Sequence, residues 1–145
     1  MTGPAGANAF KVRPGRRGDA EPVKGLLAEL GFSGDSATVT WIVSHPEMEL
    51  MVAADGFDKV IGFVALSHRP NLRHAGRIAT IDELVVGQAW RRKGVGRELL
   101  RRALERAKVL GVKRLEIQSF EGAEDATLFM RAVGLKPAGL NVFTL

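Results

Sequence analysis

Val85-Val86-Gly87-Gln88-Ala89-Trp90-Arg91-Arg92-Lys93-Gly94-Val95-Gly96-Arg97 joins an apolar run to a basic turn punctuated by glycines. Beyond it, Leu99, Leu100, Ala103, Ala107 and Leu110 recur at helical spacing, so residues 94 to 110 read as a long helix closed by Gly111. The first amides of a helix have no internal acceptor, and the aligned peptide dipoles place partial positive charge beside them. Gly94 and Gly96 carry no side chain to keep an oxyanion away, and Arg91, Arg92, Lys93 and Arg97 supply cationic donors. A strand that empties into such a turn is an anion seat.

Outward from that seat, residues 78 to 86 form the strand that feeds it and residues 113 to 118 the strand that follows the helix. This strand, helix, strand unit implies a crossover between near-parallel strands. Upstream, residues 50 to 54 and 60 to 67 flank the loop Asp55-Gly56-Phe57-Asp58-Lys59 and read as an antiparallel hairpin. Two helices precede the hairpin. In the first, Asp19 is the expected N-cap, Val23, Leu26, Leu27 and Leu30 the inward stripe, and Gly31 the stop. In the second, Ser36 is the expected cap, Val39, Ile42 and Val43 face inward, and Pro46 ends it. Phe10-Lys11-Val12-Arg13 alternates as a short strand, residues 126 to 133 suit a last helix stopped by Gly134, and residues 141 to 145 suit a terminal strand. The class is mixed α/β, α+β in type, with antiparallel strands first and a parallel step later. Residues 1 to 8 are small and polar and are expected to be disordered, leaving residues 9 to 145 as one domain.

Composition narrows the partners. The chain has 145 residues, 46% hydrophobic and 26% charged, which suits a globular domain rather than a disordered or coiled-coil chain. It has no cysteine, which removes disulfides, thiolate metal sites and a cysteine nucleophile, and makes a reducing, cytoplasmic setting the expectation. There is no apolar run of membrane-spanning length and no secretory signal pattern, so no membrane partner is expected. The net charge of +5 is concentrated: residues 91 to 114 hold ten Lys or Arg against Glu98 and Glu105, a local +8. Such a field suits a phosphorylated cofactor or nucleic acid. Nucleic acid is the weaker fit and is not expected, because no aromatics are interleaved with the basic residues and no DNA-binding motif is present. On the helix, Arg101, Arg102, Arg106 and Lys108 read as a solvated face, with Glu98 and Glu105 as their partners. His45, His68 and His74 lack metal-ligand spacing, so no metal is expected, and each reads as a surface or loop residue. Trp41 and Trp90 read as packing residues.

Two phosphate motifs are ruled out by residue. No Gly-x-x-x-x-Gly-Lys-Ser/Thr occurs, and the third glycine of a dinucleotide fingerprint is replaced by Leu99. What remains, Arg91-x-x-Gly94-x-Gly96 after Ile81-Asp82-Glu83-Leu84-Val85-Val86, resembles the acetyl-coenzyme A signature Arg/Gln-x-x-Gly-x-Gly/Ala of the GNAT superfamily of N-acetyltransferases. The β-α-α-β-β-β-α-β-α-β order and the later stretch Ala126-Thr127-Leu128-Phe129-Met130-Arg131-Ala132-Val133-Gly134-Leu135 extend the resemblance to about residues 9 to 145.

The resemblance implies that the central strands splay and that the pantetheine arm of acetyl-coenzyme A lies between them. Backbone groups of Leu84, Val85 and Val86 would line the arm, with an amide near Val85 or Val86 facing the developing oxyanion. Arg91, Arg92, Lys93, Gly94, Val95, Gly96 and Arg97 would hold the pyrophosphate. The early helices border the acceptor site in that family, which brings in Phe32, Asp35 and Trp41.

Direct transfer of acetyl to an amine needs a neutral nucleophile, and an alkyl amine of pKa about 10.4 is costly to present unprotonated at neutral pH. Glu83, alternating with Ile81 and Val85 on the strand beside the thioester, is the candidate base. The family pattern Asn-x-x-Ala-x-x-Phe-Tyr, whose tyrosine protonates the leaving thiolate, here reads Ala123, Ala126, Phe129 and Met130. The chain has no tyrosine at all, which leaves water or Ser119 for that proton. The expected activity is acetyl transfer to a primary amine of a small molecule, amino acid, aminoglycoside-type polyamine or protein, with a non-catalytic acyl-coenzyme A binding module as the alternative. A homodimer remains open.

Overall fold

The computed structural model describes residues 9–117, 124–132, 134–140 and 143–145. In chain order these form β1 (Phe10–Pro14), α1 (Ala20–Glu29), α2 (Ser36–Ser44), β2 (Met48–Asp55), β3 (Val60–Asn71), β4 (Gly76–Val86), α3 (Val95–Leu110), β5 (Arg114–Ile117) and α4 (Glu124–Ala132). The five strands lie in sequence order in one sheet, antiparallel from β1 to β4 and parallel between β4 and β5. The mixed class and the parallel step after α3 are as the sequence implied. Of the terminal strand expected over residues 141 to 145, the first two residues lie outside the described ones, and residues 143 to 145 carry no strand. Among the described residues no helix is long and apolar enough to cross a membrane.

Two apolar layers hold the sheet, because successive side chains on a strand point to opposite faces. On one face Met51, Ala53, Val64, Leu66, Ala79 and Ile81 pack against Val95, Leu99, Leu100 and Ala103 of α3. On the other, Leu50, Val52, Phe63, Ala65 and Val85 pack against Ala20, Val23 and Leu26 of α1 and Val39 of α2. Leu99 and Leu100 are fully enclosed, and such side chains each contribute about 1.5–3 kcal/mol by leaving water. Leu30, expected on the inward stripe of α1, is exposed instead, because α1 has already ended at Glu29.

Several local expectations are corrected. Asp19 makes no side-chain cap on α1; it is only 6% exposed and is spent on Arg13, itself 7% exposed. Arg13 Nη1 and Nη2 donate to the two Asp19 carboxylate oxygens at 2.8 and 3.0 Å, and its Nε donates to Asp58 at 3.0 Å. Asp35, rather than Ser36, caps α2 by accepting the Thr38 amide at 3.0 Å. His68 is not a loop residue. It lies within the extended β3, 7% exposed, and its Nδ1 accepts from Arg77 Nε at 3.2 Å. Trp41 is 55% exposed and stacks on His45 with ring centroids 4.3 Å apart, because Val39, Ile42 and Val43 already fill the inward side of α2.

The Arg13–Asp19 pair makes an acid-sensitive clamp between β1 and the start of α1. Burial by itself pushes the Asp19 carboxyl up, but the Arg13 hydrogen bond, the Arg16 amide and the two positive charges outweigh it and hold it below its ordinary value. Its stabilising contribution is therefore complete above the ordinary carboxylate range and is lost as pH falls through the lowered value. Arg13→Met is expected to cost about 3–5 kcal/mol of unfolding free energy in urea melts at pH 7, because it strands a buried charge. The gap from wild type should narrow in acid as Asp19 becomes protonated.

Candidate active site

The β4–β5 ladder is described over four residue pairs, well short of the end of β4. Their register runs Ile78↔Arg114, Ala79↔Leu115, Thr80↔Glu116, Ile81↔Ile117, and β4 runs on to Val86 with no further partner on that side among the described residues. Past that pair, the β4 edge turned away from β3 borders a wedge with no strand partner among the described residues. Which backbone groups line it follows from β3: the Gly87 amide donates to Ile61 at 2.8 Å, and Phe63↔Val85 and Ala65↔Glu83 follow in the same register. Hydrogen-bonded pairs alternate along an antiparallel ladder, so Val85 and Glu83 direct their N–H and C=O groups to β3. Leu84 and Val86 direct theirs to the wedge. Val85 is thus engaged on both counts, its side chain being buried between the sheet and the first two helices.

A bulge sets the direction of the acidic pair. Ala65 faces Glu83 and Leu66 faces Ile81, leaving Asp82 without a partner on β3. The extra residue reverses the alternation, so Ile81 joins the α3 side while Glu83 and Val85 belong to the α1 and α2 side. The simple alternation of Ile81, Glu83 and Val85 read from the sequence therefore fails at Asp82. Glu83 is open to solvent, yet partial burial first, and then the charge of Asp82, push its carboxyl above its ordinary value. Neither acid forms an ion pair among the described residues.

After Val86 the chain makes a short 3-10 turn over Gln88–Trp90 and reaches α3 through Arg91 to Gly94. Glu29 at the end of α1 accepts the Gln88 amide at 2.9 Å and ties the root of this turn to α1. Trp90 meets Phe10 edge-on at 6.4 Å between centroids, and Lys93 Nζ lies 5.3 Å above the Trp90 ring. Arg91 Nε reaches back to the Val86 carbonyl at 3.4 Å. Among the described residues, the amides of Arg92, Lys93, Gly94, Val95, Gly96 and Arg97 donate to no acceptor. Arg91, Arg92, Lys93 and Arg97 have no carboxylate partner either. By contrast, Arg101 pairs with both Glu98 and Glu105, and Arg106 pairs with Glu49, so that face of α3 is internally neutralised.

The two glycines have different reasons. Gly94 adopts φ +85°, a left-handed conformation that costs other residues about 1–2 kcal/mol, so the turn itself requires glycine. Arg92 accepts that cost at φ +63°. Gly96 is helical, and a Cβ there would meet only Val86 Cγ2 at 3.5 Å, an ordinary contact. Among the described residues nothing excludes a Cβ at Gly96. Val95 contributes its amide to the row, while its side chain is buried in the α3 core.

Met130 is partly buried and lines a cavity of about 1040 Å³ along β5; Phe129 and Leu135 pack against the α3 core. Ser119 and Ala123 lie outside the described residues. Sequence reading missed Asp82, whose only signal was its place beside Glu83, and Glu29, which meets Gln88 across 59 positions with no local pattern to reveal it.

Comparison with solved structures places this geometry in a known fold. A transcriptional regulator from Bacillus halodurans C-125 is 23% identical with a TM-score of 0.86, covering 94% of this chain and 99% of that one. A ribosomal-protein-alanine N-acetyltransferase from Brucella melitensis biovar Abortus 2308 is 20% identical with a TM-score of 0.77, covering 94% and 98%. An aminoglycoside acetyltransferase from an uncultured soil metagenomic sample, in complex with trehalose, is 18% identical with a TM-score of 0.77, covering 96% and 98%. No curated protein matches the sequence. The model of the Acetyltransferase (GNAT) family matches residues 24–135, most of the chain and both sides of the wedge, and this protein belongs to that family of acyltransferases.

Proposed function

We propose that residues 9 to 145 act as one domain that moves an acetyl group from acetyl-coenzyme A directly to a primary amine, with no covalent enzyme intermediate. The observation that carries this reading is a coincidence of place: among the described residues, six free amides and four cations without a carboxylate adjoin the strand end where Leu84 and Val86 have no partner on the β5 side and Glu83 stands.

In this reading the pyrophosphate is held at Arg91 to Arg97, where charge-assisted hydrogen bonds replace water. The pantetheine amides pair with Leu84 and Val86 as an added strand would. The incoming amine loses a proton to Glu83, directly or through one water, and its nitrogen attacks the thioester carbonyl. The oxyanion that develops there takes a hydrogen bond from a wedge-facing amide, Val86 being the nearest to the seat; such a donor is worth about 3 kcal/mol. The C–S bond then breaks. The thiolate, of pKa about 8.5 when free, needs little help to leave, and it takes up through water the second proton that the nitrogen sheds as the amide forms, because Met130 offers none.

Mixing the protein with acetyl-coenzyme A and a panel of primary amines, while recording free thiol and acetylated amine by mass, tests the reading. We expect equal amounts of thiol and acetyl-amide. Thermal stabilisation by coenzyme A with no thiol released in the presence of any amine would contradict it.

A further inference from the structure

We propose that the acceptor is a primary amine carrying an anionic group, a carboxylate or phosphate, on the same molecule. The inference rests on the acetyl-transfer reading and adds the substrate class. It comes from the charge around the cavity along β5, which extends from the last β4–β5 pair to the segment from Gly134 to Leu140.

Among the described residues its charged lining is Arg69, Asp82, Arg114, Glu116, Arg131 and Lys136. Arg114 and Glu116 cancel, since Arg114 Nε donates to Glu116 at 2.8 Å. Arg69, Arg131 and Lys136 are left against Asp82, and among the described residues none of these four forms an ion pair. Over the described residues the remaining charge is thus positive by two, and it is ordered in space. Asp82 stands at the mouth of the wedge beside Glu83, one residue past the final Ile81↔Ile117 pair. Arg69 lies further down the sheet opposite Ile78, its Nη1 3.4 Å from Thr80 Oγ1. Asp82 is two residue steps along β4 from Thr80, about 6–7 Å.

A ligand with an ammonium toward Asp82 and an anion toward Arg69 matches both ends of this field. Its amine then arrives beside Glu83, where the proton must be taken. A polycation meets three uncompensated positive groups for every negative one, so aminoglycosides and polyamines are opposed by the same lining.

The test pairs molecules that differ only in the anion. Amino acids and phosphoethanolamine form the two anionic arms, ethanolamine and propylamine the uncharged arm, and spermidine the polycationic arm. Acceptor binding to the coenzyme A complex is measured by calorimetry, and thiol release from acetyl-coenzyme A separately. At least one anionic arm should bind about tenfold more tightly than the uncharged arm, which is what one charge-assisted contact supplies, and the stronger arm names the anion. Arg69→Ala should erase that preference while leaving the affinity for coenzyme A and for propylamine unchanged. Equal binding of uncharged amines, preference for spermidine, or a loss for all amines alike in Arg69→Ala would overturn the proposal. Selective binding without thiol release would instead remove the transfer reading and leave the charge selectivity standing.

Discussion

Glu83→Gln is expected to lower kcat by about 10²–10⁴, the usual contribution of a positioned general base, with the affinity for coenzyme A changed little. The substitution keeps the size of the side chain and removes its ability to take a proton. The pH profile carries the sharper signature. The Glu83 carboxyl is raised by burial and by Asp82, so the acid limb of kcat in the wild type should fall above the ordinary glutamate value of about 4.3. In Glu83→Gln that limb should disappear. Stability should move the other way. A carboxyl with a raised folded-state value contributes stability that is present in acid and is lost as pH rises through that value. Glu83→Gln should therefore be somewhat more stable than wild type at pH 7, with the gain vanishing in acid, the pattern of a site that trades stability for activity. Turnover unchanged by the substitution between pH 6 and 9 would remove Glu83 as the base.

The second large effect is expected at Gly96. Gly96→Val should weaken coenzyme A binding by about 10²–10⁴, equivalent to losing two hydrogen bonds between charged phosphate oxygens and backbone amides. Folding does not explain such a loss, because a Cβ at Gly96 has only Val86 Cγ2 nearby, at 3.5 Å. Gly96→Ala makes the separation plain. Alanine, which the signature allows at this position, suits a helix better than glycine, so this variant should gain about 0.4–1 kcal/mol of stability and keep its affinity for coenzyme A. Retained affinity in Gly96→Val would mean that the first turn of α3 does not touch the ligand.

The seat was legible because its features are local. The glycines, the cations and the start of the α3 stripe lie within a dozen residues, and the two glycines that bound α3, Gly94 and Gly111, both adopt positive φ. The sheet was legible to within a few residues. β3 and β4 run past their expected ends because the hairpin continues as a polar ribbon through Arg69, Pro70 and Arg77, where apolar alternation gives no signal. Partners far apart in sequence were not legible. Nothing around His68 announces Arg77, and Asp19 resembles a helix cap until β1 places Arg13 against it. The bulge at Asp82 leaves no mark in the sequence, although it decides which face Glu83 shares. The charges around the cavity along β5 are dispersed from Arg69 to Lys136 and acquire meaning only when β4, β5 and the segment after α4 bring them together.

Diffraction from crystals grown with coenzyme A tests the central claim most directly. The account predicts diphosphate oxygens about 2.7–3.2 Å from amide nitrogens in the row from Arg92 to Arg97, with the pantetheine arm following Leu84 and Val86 into the wedge. Diphosphate bound elsewhere on the surface, with those six amides turned to solvent, would contradict it.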